Sequence, residues 1–112
     1  MTLISVVETE TYLSRARRMM SDTEREAIVT MVAANPTAGD LIPGSGGLRK
    51  MRIPLEGRGK RGGGRVIYWF HDMHLPAVLL FVFAKNEASD LTPDQAKALA
   101  RLVENMALDF GG

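Results

Sequence analysis

The chain has 112 residues, no cysteine, and 14 Lys and Arg against 13 Asp and Glu, for a formal net charge of +1. That length supports one domain, 1–112, with a single modest core. The missing cysteine excludes disulfides and thiolate metal sites, and the longest apolar run, Pro76–Ala84, is too short to span a bilayer. The first residues, MTLISVVETETY, lack the basic start and long apolar run of a signal peptide, so a cytoplasmic protein with no membrane partner is expected. In chain order, the β-branched Leu3–Val7 predicts a strand. Tyr12, Leu13, Ala16, Met19 and Met20 recur at helical spacing between Thr9 and Met20, leaving Arg15, Arg17 and Arg18 on the opposite face. Ser21 with Glu24 forms a capping box that starts a second helix, and Asn35-Pro36 ends it. Residues 36–47 read as loop.

A strand follows over Leu48–Ile53, with Lys50 and Arg52 on one face and Met51 and Ile53 on the other. Residues 54–63 read as a basic, glycine-rich hairpin loop. Arg65–His71 is a second strand, rich in β-branched and aromatic residues. A turn at Asp72–Leu75 leads to Ala77–Ala84, apolar on both faces and therefore a central strand covered on both sides. Thr92, Pro93 and Gln95 supply the cap, first residue and capping-box partner of a C-terminal helix. The order β-α-α-β-β-β-α predicts an α+β fold, a helix hairpin on a small, twisted, mostly antiparallel sheet with a C-terminal helix.

The near-neutral total hides an uneven distribution. Leu48–Arg65 holds seven of the 14 cations (Arg49, Lys50, Arg52, Arg58, Lys60, Arg61 and Arg65) and one acid, Glu56, so it carries +6 (7 − 1) while the rest carries −5 (7 − 12). A patch of this kind attracts polyanions, because each neutralised phosphate releases counterions. A solvated loop that only confers solubility is the plainer reading of the same charges.

The segment GSGGLRKMRIPLEGRGKRGGGRVIYWF, followed by FAKNEASDLT, resembles the RelE/ParE toxin superfamily, and within it the HigB-type branch of RelE-like toxins. The shared features are a G-x-GG-x-RK-x-R strand, a glycine hairpin, a G-x-R-[VI]-IY strand and a late KNE segment. The resemblance implies a RelE-like fold and the toxin of a type II toxin–antitoxin system, a ribosome-dependent mRNA endonuclease that needs no metal or cofactor. It also implies three partners: the ribosome, its mRNA, and a cognate antitoxin of helix-turn-helix DNA-binding type. Position by position, the family's catalytic groups fall on Lys50, Arg52, Arg65 and Lys85. Arg49, Arg58, Lys60, Arg61, Asn86 and Trp69 are then candidates for contact with RNA or ribosome. The arginine and tyrosine that many RelE-like chains carry late in the sequence are replaced here by Asn86 and by Leu91 or Thr92.

Those residue types suit the chemistry. Cleavage by a neighbouring 2′-hydroxyl needs alignment and fixed positive charge where negative charge builds up. A guanidinium such as Arg65 matches two phosphate oxygens and stays charged. Lys50 is either a general base or a fixed charge. His71 and His74 flank a turn about 20 Å along the strand from Arg65, which reads as surface. Two other function classes fit the fold: a ParE-like gyrase inhibitor, and an RNA-binding module without activity.

Overall fold

The computed structural model describes residues 3–55, 63–88 and 90–109, with side chains through residue 106. The hairpin cations Arg58, Lys60 and Arg61 lie outside the described residues.

Thr9 accepts the Tyr12 N–H and starts α1 (Glu10–Met19). Ser21 and Glu24 form the expected reciprocal capping box at the start of α2 (Asp22–Ala34), which ends at Asn35. Four strands lie between the helix pair and the C-terminus: β2 (Asp40–Leu41), β3 (Leu48–Ile53), β4 (Gly64–Trp69) and β5 (Ala77–Ala84). With β1 (Val6–Glu8) they make a five-stranded sheet in the order β1-β5-β4-β3-β2. Only β1 runs parallel to its neighbour β5; the other pairings are antiparallel. α3 (Pro93–Asp109) closes the chain, with Thr92 and Gln95 exchanging side-chain and backbone hydrogen bonds at its start.

Strand parity sorts the core into two layers. Met51, Ile53, Val66, Tyr68, Leu79 and Val82 face α1 and α2, meeting Tyr12, Ala16, Ile28 and Val32. Leu48, Ile67, Trp69, Val78, Leu80 and Phe83 face the other way and meet Leu99 and Val103 of α3. β5 is thus covered on both sides, as its unbroken apolar run predicts.

Four details differ from expectation. The first strand begins at Val6 rather than Leu3, and the aromatic strand stops at Trp69 rather than His71. A two-residue strand, β2, lies inside the expected loop, because Asp40 and Leu41 pair with Lys50 and Arg49. Arg15 is half-buried against the β5 edge instead of extending into solvent. Its Nε donates to the Val82 carbonyl at 2.6 Å and its guanidinium lies 4.6 Å from the Phe81 ring centroid. β1 pairs only with Ala77–Leu79, so the rest of that β5 edge is open, and Arg15 satisfies a carbonyl there.

Candidate functional site

The cations lie on the same β3–β4 face as Leu48, Ile67 and Trp69, toward the end opposite Trp69. Arg52 and Arg65 are direct cross-strand partners, and one pleat further along Lys50 stands opposite Ile67. Arg52 is exposed, while Lys50 and Arg65 are half-buried. Like charges directly opposite one another destabilise a sheet by about 0.2–1 kcal/mol. A facing arginine pair therefore costs stability unless an anion sits between its members. Phe83 of β5 flanks Arg65 on its other side.

Glycine geometry fixes this register. Gly63 has φ +66°, and a Cβ on it would run into the Ile53 carbonyl oxygen. Only glycine lets the chain re-enter the sheet there and bring Arg65 level with Arg52. The same carbonyl-lined corner holds the late lysine, because the Lys85 N–H donates to the Gly63 carbonyl at 3.0 Å. Lys85 and Asn86 are exposed at this end of the sheet. Glu87 completes the turn, its Oε1 accepting the Ala84 N–H at 3.1 Å.

Lys50, Arg52 and Arg65 thus share one sheet face, and Lys85 follows β5 at the Arg52–Arg65 end of the sheet. Two other candidates are not. Arg49 has the opposite strand parity, and its Nη1 donates to the carbonyls of Thr37 and Gly39 at 3.1 and 2.8 Å. It braces the loop after α2, on the sheet face opposite Lys50 and Arg52. Trp69 is 1% exposed under α3, with its Nε1 donating to the Gly46 carbonyl. A ring so enclosed cannot stack on a base. Tyr68 is fully buried as well, its hydroxyl donating to the Pro36 carbonyl and accepting the Gly39 N–H. Burial raises its pKa, so it serves as a loop anchor.

His71 and His74 are exposed at the far turn. There the Asp72 carboxylate accepts the His74 N–H and lies 2.8 Å from the His71 ring.

Sequence reasoning missed Asp90. Its Oδ2 lies 3.0 Å from the Lys50 Nζ. The hydrogen bond from Lys50 is the main cause holding its carboxyl below the ordinary value of 3.8; the Leu91 N–H and the charges of Lys50 and Arg65 act in the same direction. Forty residues separate the two, so no local spacing announces the pair. A depressed carboxyl stabilises the fold above its unfolded pKa, and that contribution disappears as pH falls through the lowered folded value. In a carboxyl ¹³C NMR titration, Asp90 should show a lower midpoint in the parent than in Lys50→Met. Equal midpoints would mean that the contact does not persist in solution.

Among the described residues no helix is long and apolar enough to cross a membrane. A family model described as "RelE toxin of RelE / RelB toxin-antitoxin system" matches residues 5–109. Among solved structures, the chain is similar to a double arginine-to-alanine mutant of the E. coli toxin RelE in the free state. The two are 18% identical at a TM-score of 0.56, covering 89% of this chain and 95% of that one.

Proposed function

Because this chain belongs to the RelE toxin family of toxin–antitoxin systems, whose toxins are ribosome-dependent endoribonucleases, we propose that it cuts mRNA in the ribosomal decoding site. The facing Arg52 and Arg65 carry this reading. In it, the two guanidiniums hold the non-bridging oxygens of the scissile phosphate, and Lys50 and Lys85 add charge at its margins. The 2′-oxygen of the preceding ribose attacks phosphorus, the bond from phosphorus to the 5′-oxygen breaks, and a cyclic 2′,3′-phosphate and a 5′-hydroxyl result. The 2′-hydroxyl loses a proton and the leaving oxygen gains one. The arginines stabilise the extra negative charge at the transition state, and their fixed positions avoid reorganisation at that moment. On this reading the cations supply the charge stabilisation that a metal supplies elsewhere.

As partners we propose an antitoxin of the HigB-branch type, a helix-turn-helix DNA-binding protein. The hairpin cations Arg58, Lys60 and Arg61 are proposed to meet RNA phosphates. Primer extension on ribosome-bound mRNA with purified protein tests the activity. Discrete stops in codons held in the decoding site, absent without ribosomes, are expected. Uncut mRNA at stoichiometric toxin would refute the reading and favour a toxin with a non-nucleolytic target.

A further inference from the structure

Arg15 and Glu87 meet at a place the cleavage reading leaves unused, the open edge of β5. The Lys85 N–H points toward β4, where it donates to the Gly63 carbonyl at 3.0 Å. Backbone groups alternate in direction along a strand. The Val82 carbonyl and the Ala84 N–H therefore both point the other way, to the edge beyond the end of β1. An added strand would bond to such a donor–acceptor pair, and here two side chains do so. The Arg15 Nε donates to the Val82 carbonyl at 2.6 Å. The Glu87 Oε1 accepts the Ala84 N–H at 3.1 Å. The guanidinium and that same carboxylate oxygen stand 3.8 Å apart, and the Phe81 ring backs the guanidinium at 4.6 Å.

This arrangement borders the turn that carries Lys85 and Asn86. The Glu87 and Ala88 N–H groups both donate to the Ala84 carbonyl, at 3.0 and 3.2 Å, which closes one tight turn directly after β5. Glu87 thus ties the turn to the strand twice, by its backbone and by its side chain. The Arg15 side chain is 28% exposed and that of Glu87 52%, and ion pairs this open contribute little to stability. What the pair fixes is the direction of the Glu87 carboxylate, and through it the course of the turn.

We propose that Arg15 is a positioning residue for the Lys85–Asn86 turn of the cleavage site. It acts through Glu87. The guanidinium holds the carboxylate on the β5 edge, the carboxylate holds the Ala84 N–H, and the turn presents Lys85 at the Arg52–Arg65 end of the sheet. The proposal rests on the cleavage reading for the role of Lys85, but the hold on the turn can be measured without RNA.

Hydrogen exchange reads that hold directly. Arg15→Met keeps the stem of the side chain and removes its donors and charge. The Lys85 N–H should exchange about tenfold faster in this variant than in the parent, as a local opening made easier. The Phe70 N–H, which donates to the Gly47 carbonyl past the far end of β4, should keep its rate. Equal acceleration of both amides would make Arg15 a general stabiliser, and an unchanged Lys85 rate would leave it no hold on the turn; either result overturns the proposal. In ribosome-dependent cleavage, Arg15→Met should lower kcat about tenfold with KM for the programmed ribosome unchanged, since a small misplacement of a reacting group is costly in rate. Glu87→Gln, which keeps the acceptor and drops the charge, should lower kcat in the same direction, and a parent rate there would count against the proposal. In a Lys85→Ala background, Arg15→Met should cost less than about twofold further, because residues that act as one unit are not additive. Full additivity, or a loss confined to KM, would place Arg15 in a contact of its own with the ribosome and overturn the proposal. A parent protein that cuts no mRNA would sink the cleavage reading, while the exchange rates would still decide whether Arg15 holds the turn.

Discussion

Arg52→Ala and Arg65→Ala should each cut ribosome-bound mRNA about 10²–10³-fold more slowly, the usual effect of removing one preorganised donor to a transition-state oxyanion, while Arg52→Ala melts no earlier than the parent. The two halves of this result follow from one geometric fact, the direct cross-strand pairing of Arg52 with Arg65. An arginine kept for folding would be expected to face a carboxylate. Arg52 instead faces another cation across the strands, so deleting it relieves repulsion of about 0.2–1 kcal/mol. In a domain of this size that is a melting temperature unchanged or raised by a few degrees. Single-turnover cleavage and a thermal melt on the same preparation decide the matter. Cleavage within a few-fold of the parent would remove the arginine from the site. Lost cleavage with a much lower melting temperature for Arg52→Ala would make its role structural.

Trp69→Ala should cost about 3–5 kcal/mol, as expected when a large core aromatic is truncated. Out of a total of about 5–15 kcal/mol, that is a large share of the stability. Trp69 packs with Leu48, Ile67, Val78, Leu99 and Val103 in the layer beneath α3, and its Nε1 holds the Gly46 carbonyl at 3.2 Å. Trp69→Phe keeps most of the packing and should keep cleavage within a few-fold. Urea denaturation of both variants measures the loss. A folded Trp69→Phe that no longer cuts RNA would show that the ring meets substrate after all.

What the sequence made legible follows from how local each signal is. The bounds of β3 and β5, the capping box of α2 and the start of α3 were readable, because each depends on residues within one or two turns of itself. Alternation placed Lys50 and Arg52 on one face, and the same alternation puts Arg49 on the other. Grouping all cations by proximity in sequence hid that distinction. β2 was invisible because Asp-Leu has little strand preference and pairs only since Arg49 and Lys50 offer a free edge. Arg15 was misread because helical periodicity assigns polar residues to water, whereas an unpaired carbonyl of β5 was the better partner. Trp69 shares its face with Arg65 but lies at the end that α3 covers, and only the tertiary path of α3 decides that. Asp90 reaches Lys50 from forty residues away, which no window of sequence contains.

The parallel contact between β1 and β5 also sets an order of events during synthesis. Val6 meets Ala77, and the Thr9 hydroxyl seeks the Leu79 carbonyl across 70 positions. The opening strand therefore waits, with its backbone groups bonded to water, until the chain has grown past β5 and that stretch has cleared the exit tunnel. At about 5–20 residues per second, this leaves several seconds in which the helix hairpin exists without its sheet. β5 pairs with both β1 and β4, and β4 carries Arg65, so the nascent chain cannot assemble its arginine pair on the finished scaffold before most of it has been translated. The sheet that holds the arginine pair is thus among the last parts of the fold to be completed.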